Sequence, residues 1–241
     1  MKLSVIIPAF NEERFIAGCV EKVFAAFRAN AAADWTGEVI VVDNNSTDGT
    51  AQLACVAGAR VVFEPINQIA RARNAGTKIA TGDWHLFVDA DSYLSPVTLA
   101  ELLRCIRGGR VAGGGCLIGL DDLPPFVGNL IIIWDMISRT MRWAAGSFVF
   151  CRADAFRAIG GFSSELFAGE EAQFSQDLKR WAKDKRLKIV ILSKQRHISS
   201  GRKLRLYNGW EFLQLSLHSL LSMRSTIRDP KKLGIFYDGR R

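Results

Sequence analysis

Apolar residues along this chain fall into short β-branched runs that alternate with longer segments of helical spacing. Lys2 to Ile7 is the first strand, ended by Pro8, which has no amide for further pairing. Asn11 opens a helix on which Phe15, Ile16, Val20, Val23, Phe24 and Phe27 recur at helical spacing through about Arg28, with Glu12 and Glu13 at its positive end. Glu38 to Val42 is a second strand, Ala51 to Val56 a short helix, and Arg60 to Glu64 a third strand. Ile69 to Ala80 predicts a third helix, closed by Gly82, before an apolar run through Leu86, Phe87 and Val88 that ends in Asp89. Such alternation implies an α/β fold, a mostly parallel central sheet with right-handed crossovers and flanking helices.

The second half is less regular. Thr98 to Ile106 is a helix and Arg110 to Leu120 a strand interrupted by glycines; Pro124 to Trp143 is an apolar segment, read as a buried helix or as the lining of a lipid-linked acceptor site. Ala145 to Cys151 predicts a strand, followed by a short helix and the turn Gly160-Gly161-Phe162. Glu170 to Lys183 is a charged helix, Leu187 to Leu192 a last strand, and Tyr207 to Met223 an amphipathic helix. No repeat or linker interrupts the pattern. The expected organisation is one domain over 1–200, divided into 1–92 and 93–200, with a basic helical extension over 201–241.

Asp89-Ala90-Asp91 lies where such folds bind ligands, at the carboxyl end of a buried strand. Two carboxylates there offer hard oxygens to Mn²⁺ or Mg²⁺, which can in turn hold a diphosphate that the acids alone would repel. No Gly-x-Gly-x-x-Gly follows the first strand, which disfavours a dinucleotide site.

Composition changes this picture little. The net charge of +8 is concentrated at the end: from Arg196 onward ten Lys and Arg face only Glu211, Asp229 and Asp238, a surplus of 7. Peripheral contact with an anionic membrane is one use for such a surplus and a solvated face is another; no aromatic-interleaved basic motif points to nucleic acid. The five cysteines form no Cys-x-x-Cys pair and read as reduced core residues, and no leader or spanning run is evident, so the expected location is cytoplasmic, with any membrane contact at its inner face.

Taken together, five segments resemble the family 2 glycosyltransferases, inverting enzymes with the GT-A nucleotide-sugar fold. Val5 to Glu12 resembles the opening strand and the turn that touches the nucleotide, which implies roles for Pro8, Ala9, Phe10 and Glu12. Val41 to Thr50 resembles the second strand end, where Asp43 would accept a hydrogen bond from the base. Ala72-Arg73-Asn74-Ala75-Gly76 resembles the helix whose arginine, Arg73 or its neighbour Arg71, faces the nucleotide. Asp89, Ala90 and Asp91 match the family's Asp-x-Asp, and Gly160-Gly161-Phe162 followed by Gly169-Glu170-Glu171 resembles the acceptor-side turn and the acidic pair that supplies the base. The family more usually carries Glu-Asp at that pair; Glu171 takes the expected position and Glu170 is the alternative. One residue back, Glu170 would face roughly 100° away and do less. The resemblance further implies that His197, after the last strand, joins Asp91 in the metal shell. It implies transfer of a sugar from a nucleoside diphosphate donor to a hydroxyl acceptor, a sugar or a lipid-linked one. A nucleotidyltransferase of similar build and a non-catalytic nucleotide or nucleic-acid binding module are the rivals; the glycine-rich loop of the first is missing after strand one.

Overall fold

The computed structural model describes residues 1–32, 34–121, 135–144, 147–167 and 169–201. Eight strands form one mixed sheet: β1 (Lys2–Ala9), β2 (Thr36–Asp43), β3 (Arg60–Phe63), β4 (Trp84–Val88), β5 (Ser92–Tyr93), β6 (Val111–Asp121), β7 (Phe148–Arg152) and β8 (Lys188–Ser200). Their order is β3-β2-β1-β4-β7-β6-β8-β5. β1, β2, β3 and β4 are mutually parallel and β8 is parallel to β6, whereas β7 runs antiparallel to β4 and β6, and β5 antiparallel to β8. The sheet is continuous across both expected halves.

Helices cover both faces, as the buried runs of the parallel strands require. On one face α1 (Ile16–Ala29), α2 (Thr50–Val56) and α4 (Pro96–Arg107) pack on Leu3, Val5, Ile7, Leu86 and Val88. On the other, α3 (Ile69–Ile79), α5 (Ala153–Ile159) and α6 (Glu170–Asp184) enclose Ile6, Val42, Phe87, Val149 and Cys151. The chain lays β2 and β3 on one side of β1 and then crosses to β4 on the other. The carboxyl ends of β1 and β4 therefore flank the point where the winding reverses, the crevice in which open sheets hold ligands.

Several expectations are corrected. Pro8 does not end β1: it pairs with Val42, and the Ala9 carbonyl accepts from Asn44 N–H, so Pro8 turns its missing donor toward β4, beyond the last β4 pair at Ile6 and Phe87. Asn11 opens no helix, because it sits at φ 53° and its Oδ1 accepts the Thr47 amide at 2.8 Å, tying the β1 loop to the β2 loop; α1 starts at Ile16, leaving Glu12 and Glu13 outside its first turn. The last strand runs to Ser200. Of the cysteines, all free, Cys19, Cys116 and Cys151 are buried, Cys105 is half-buried and Cys55 is exposed. Most of the apolar segment from Pro124 lies outside the described residues, but its end is a helical stretch over 135–141 with Met136 and Met141 exposed, so that end is no buried helix. Tyr207 to Met223 lies outside the described residues, among which no helix is long and apolar enough to cross a membrane.

The glycine interruptions of β6 have a steric cause. A Cβ at Gly114 would lie 1.7 Å from the Val190 carbonyl oxygen, and one at Gly113 would lie 2.3 Å from that of Phe150, so both neighbouring strands press on this backbone. Gly114→Ala is expected to destabilise the protein by about 3 kcal/mol or more, the upper end of overpacking penalties; a melting temperature within about 2 °C of wild type would contradict the packing.

A second test concerns His85, buried on β4 between the rings of Phe87 and Phe156 with its Nδ1 unbonded. Burial, with Arg157 nearby, pushes its pKa down to about 4 from 6.5. On acidification the unfolded chain takes up the proton first, so the neutral ring's contribution is complete above about 6.5 and lost as pH falls toward 4. Melting temperature against pH should therefore fall less steeply across that window in His85→Leu than in wild type.

Candidate active site

Three strand ends and two helix starts converge at the crevice. Val88, the end of a fully buried strand, delivers Asp89, Ala90 and Asp91 to its mouth, and the turn they make is pinned: the Asp89 carbonyl accepts from Ser92 N–H at 3.1 Å and from its hydroxyl at 2.9 Å. β8 then passes alongside, with Ser199 paired to Ser92 and the Ser200 amide donating to the Asp91 carbonyl at 3.1 Å.

The centre of the site is Arg73, on the sheet-facing side of α3 and fully buried. Its Nη1 donates to Glu170 Oε1 at 3.0 Å and to Glu171 Oε1 at 2.9 Å, and its Nη2 to Asp89 Oδ1 at 3.2 Å. The ring of Phe162 lies 5.2 Å from its guanidinium carbon. Adjacent Glu170 and Glu171 therefore do not diverge as expected; a shared buried cation draws both inward from the first turn of α6. They differ in access. Glu170 has a side chain 3 % exposed, whereas those of Glu171 and Asp89 are 18 % and 30 % exposed and open to the crevice.

Electrostatics separates the pair in the same direction. Burial, then the charge of Glu171, pushes the Glu170 carboxyl up to about 8, so it holds its proton at neutral pH. Burial acts on Glu171 too, but the charge and hydrogen bond of Arg73 outweigh it and hold Glu171 below the ordinary carboxylate range. Within the pair a proton therefore favours Glu170 over Glu171.

The loop before α6 is placed by polar side chains whose role no motif announced. Asn74 grips Phe162 at both backbone groups, donating to its carbonyl at 2.8 Å and accepting its amide at 2.9 Å, while Gly160 and Gly161 take φ of 87° and 82° to make the turn. Gln68 donates to the carbonyls of Ser164 and Leu166, and its own amide donates to buried Asn44, which in turn donates to the carbonyls of Glu64 and Ile66. In the sequence Asn44 and Asn74 stand inside two of the motifs and Gln68 just before a helix, but nothing there says that they bond this loop.

Other residues singled out lie as follows. Ala9 is buried and Phe10 partly so beyond β1, and the Glu12 amide donates to Thr50 Oγ1 at 2.7 Å. Asp43 is buried at the end of β2 and accepts the Ser46 amide at 3.1 Å, the turn-forming geometry of its type. Arg71 points away from Arg73 and pairs with Glu64 at 3.2 Å. His197 is 1 % exposed and lies against Phe148 at 5.0 Å between ring centres; burial, against a backbone contact at Ser147, pushes its pKa down to about 4, which keeps the imidazole neutral as metal ligation requires. Among the described residues no three His, Cys, Asp or Glu converge as a metal cage. Carboxylate oxygens and a neutral imidazole are donor types that Mn²⁺ accepts.

Comparison with known proteins agrees with this fold. S. aureus TarS in complex with UDP superposes with a TM-score of 0.65 at 21 % identity, over 99 % of this chain and 70 % of that one. The mannosyltransferase PcManGT from Pyrobaculum calidifontis, in complex with GDP-Man and Mn²⁺, gives 0.68 at 19 %, over 98 % of this chain and 68 % of that one. At such identities the likeness is one of fold. An uncharacterized glycosyltransferase of Mycobacterium bovis is 35 % identical over 101 residues, a match that spans 42 % of each chain. The model of the family described as Glycosyl transferase family 2 matches residues 4–153, more than half of the sequence, and this chain belongs to that family.

Proposed function

We propose that this chain is an inverting glycosyltransferase that moves a sugar from a nucleoside diphosphate donor to an acceptor hydroxyl, with Glu171 as general base. The observation that carries the reading is the convergence of Glu171 and Asp89, both open to the crevice, on one buried guanidinium. Donors of this class are bound by related folds: TarS has been crystallised with UDP-GlcNAc and PcManGT with GDP-Man and Mn²⁺.

In this reading the base and ribose lie over the ends of β1 and β2, near Pro8, Ala9, Phe10, Glu12 and Asp43, with Asp89 and Ala90 beneath the diphosphate. Asp91 and His197 would hold a divalent cation, Mn²⁺ or Mg²⁺, whose charge offsets that of the departing diphosphate. Glu171 takes the acceptor proton while the acceptor oxygen attacks the anomeric carbon; the new C–O bond forms on the face opposite the breaking one, whose electrons leave with the diphosphate, and the centre inverts. Arg73 keeps Glu171 ionised and fixes its orientation. Protonated Glu170 donates its hydrogen bond to Glu171 rather than competing for the acceptor proton. The acceptor approaches from the second half of the chain, and an anionic membrane is a peripheral partner in keeping with the basic surplus beyond Arg196.

Two outcomes follow. Glu171→Gln should lower turnover by on the order of 10² to 10⁴ while leaving donor affinity nearly unchanged; Glu170→Gln, an isostere of the protonated acid, should lower it far less. Loss confined to Glu170→Gln would move the base by one residue, and full activity in both would remove the acidic pair from the mechanism. Separately, UDP or GDP should raise the melting temperature much more with Mn²⁺ than with chelator, and Asp91→Ala should abolish the difference. Equal stabilisation with and without metal, unchanged in Asp91→Ala, would exclude metal-assisted donor binding.

A further inference from the structure

Far from the crevice, the described residues hold an open cleft of about 350 Å³ between the helical stretch 135–141 and the first half of β8, lined by Arg139, Arg142, Lys188, Ile189, Val190, Ile191 and Ser193. β5 pairs only with Ile198 and Ser199, so residues 188–193 form a sheet edge among the described residues. β8 is irregular between Leu192 and His197, but on β6 the partners of Val190 and Ser200, Gly114 and Asp121, are seven residues apart, roughly 23 Å at about 3.3 Å per residue, so the cleft lies apart from the reaction centre.

Every ionisable group lining this cleft is a cation, and none of the three is in an ion pair among the described residues. Two acids on neighbouring elements are engaged elsewhere, Asp135 with Arg196 and Glu101 with the amides of Ser193 and Lys194. Lys179 adds a fourth positive group, its pKa lowered by burial and by the charge of Arg142. On the same helical stretch Met136 and Met141 are 64 % and 45 % exposed. A site for a free anion has no use for two exposed methionines. A lipid surface meets both features, since headgroup phosphates pair with the cations while flexible apolar side chains enter the acyl boundary.

We infer that this cleft and its helical stretch are the docking surface for an anionic phospholipid membrane, with a headgroup phosphate between Arg139, Arg142 and Lys188. The inference places the membrane contact on a surface of the fold rather than on the terminal basic segment, and it stands whether or not the donor-site reading holds, because its test involves no sugar transfer.

The test is sedimentation of the full chain with vesicles of phosphatidylcholine, with and without about one third phosphatidylglycerol. Wild type should bind only the anionic vesicles and release them as salt rises. Replacing Arg139, Arg142 and Lys188 by alanine should weaken binding on the order of a hundredfold, since each basic group near such a surface contributes about fivefold. The melting temperature of that exposed variant should be unchanged; if it is not, Arg139→Ala alone, at about fivefold, decides. Met136→Ser should weaken binding without altering its salt dependence. A matched variant lacking Lys231, Lys232 and Arg240 removes the same charge from the terminal segment and should lose much less. Equal loss in the two triple variants, binding to neutral vesicles alone, displacement by millimolar inorganic phosphate at constant ionic strength, or affinity for single-stranded RNA without affinity for vesicles would each overturn the assignment.

Discussion

Removing a guanidinium from water costs several kcal/mol, and nothing in an apolar core offsets that except carboxylates at hydrogen-bonding distance. Arg73 is such a group, and its three acids come from positions 89, 170 and 171. The interaction joins α3, the end of β4 and the start of α6, elements separated by up to 98 positions in the chain. Moving α6 outward would take two of the three acids from the cation, and moving α3 would leave the three acidic groups without it. The second half of the molecule is thus held against the strands of the first half by a constraint that works only when every partner is in place.

The surrounding apolar structure serves that constraint. Phe87, Phe156, Phe162 and Phe174 form a cluster with ring centres between 4.5 and 5.8 Å apart, packing the underside of the acidic pair and placing Phe162 on the guanidinium face. Excluding water here is what separates the two glutamates electrostatically, one raised by burial and the other held down by Arg73. Small residues make the close approach possible. A Cβ at Gly76 would come within 2.5 Å of Ile6 and 2.9 Å of Val42, so α3 can lie near enough to the sheet for Arg73 to reach over the strand end.

The strand and helix runs of the first 88 residues, the parallel arrangement of β1 to β4 and the location of Asp89 and Asp91 at a strand end were legible in the chain itself. Period-two and period-3.6 patterns are local properties, and a parallel sheet buries its strands on both faces, so the hydrophobic runs report it directly. The acidic pair at a helix start was equally visible. Motif order carried the family before any coordinate did, because each motif marks a strand end or helix start that the alternation had already located.

What the tertiary structure alone decided is how those pieces meet. Arg71 and Arg73 were equivalent as sequence, two cations on one helix; only the packing of α3 buries one among carboxylates and leaves the other beside Glu64. Glu170 and Glu171 were likewise neighbours of the same chemistry, and their different exposure follows from the shared partner that turns both inward. The antiparallel direction of β7, the short β5, the left-handed Asn11 and the hydrogen bonds of Asn44, Gln68 and Asn74 gave no periodic signal, because each is defined by a partner distant in the chain. Local pattern decides which segments become strands and helices; the desolvation of charge, which depends on everything packed around it, decides which side chains become a site.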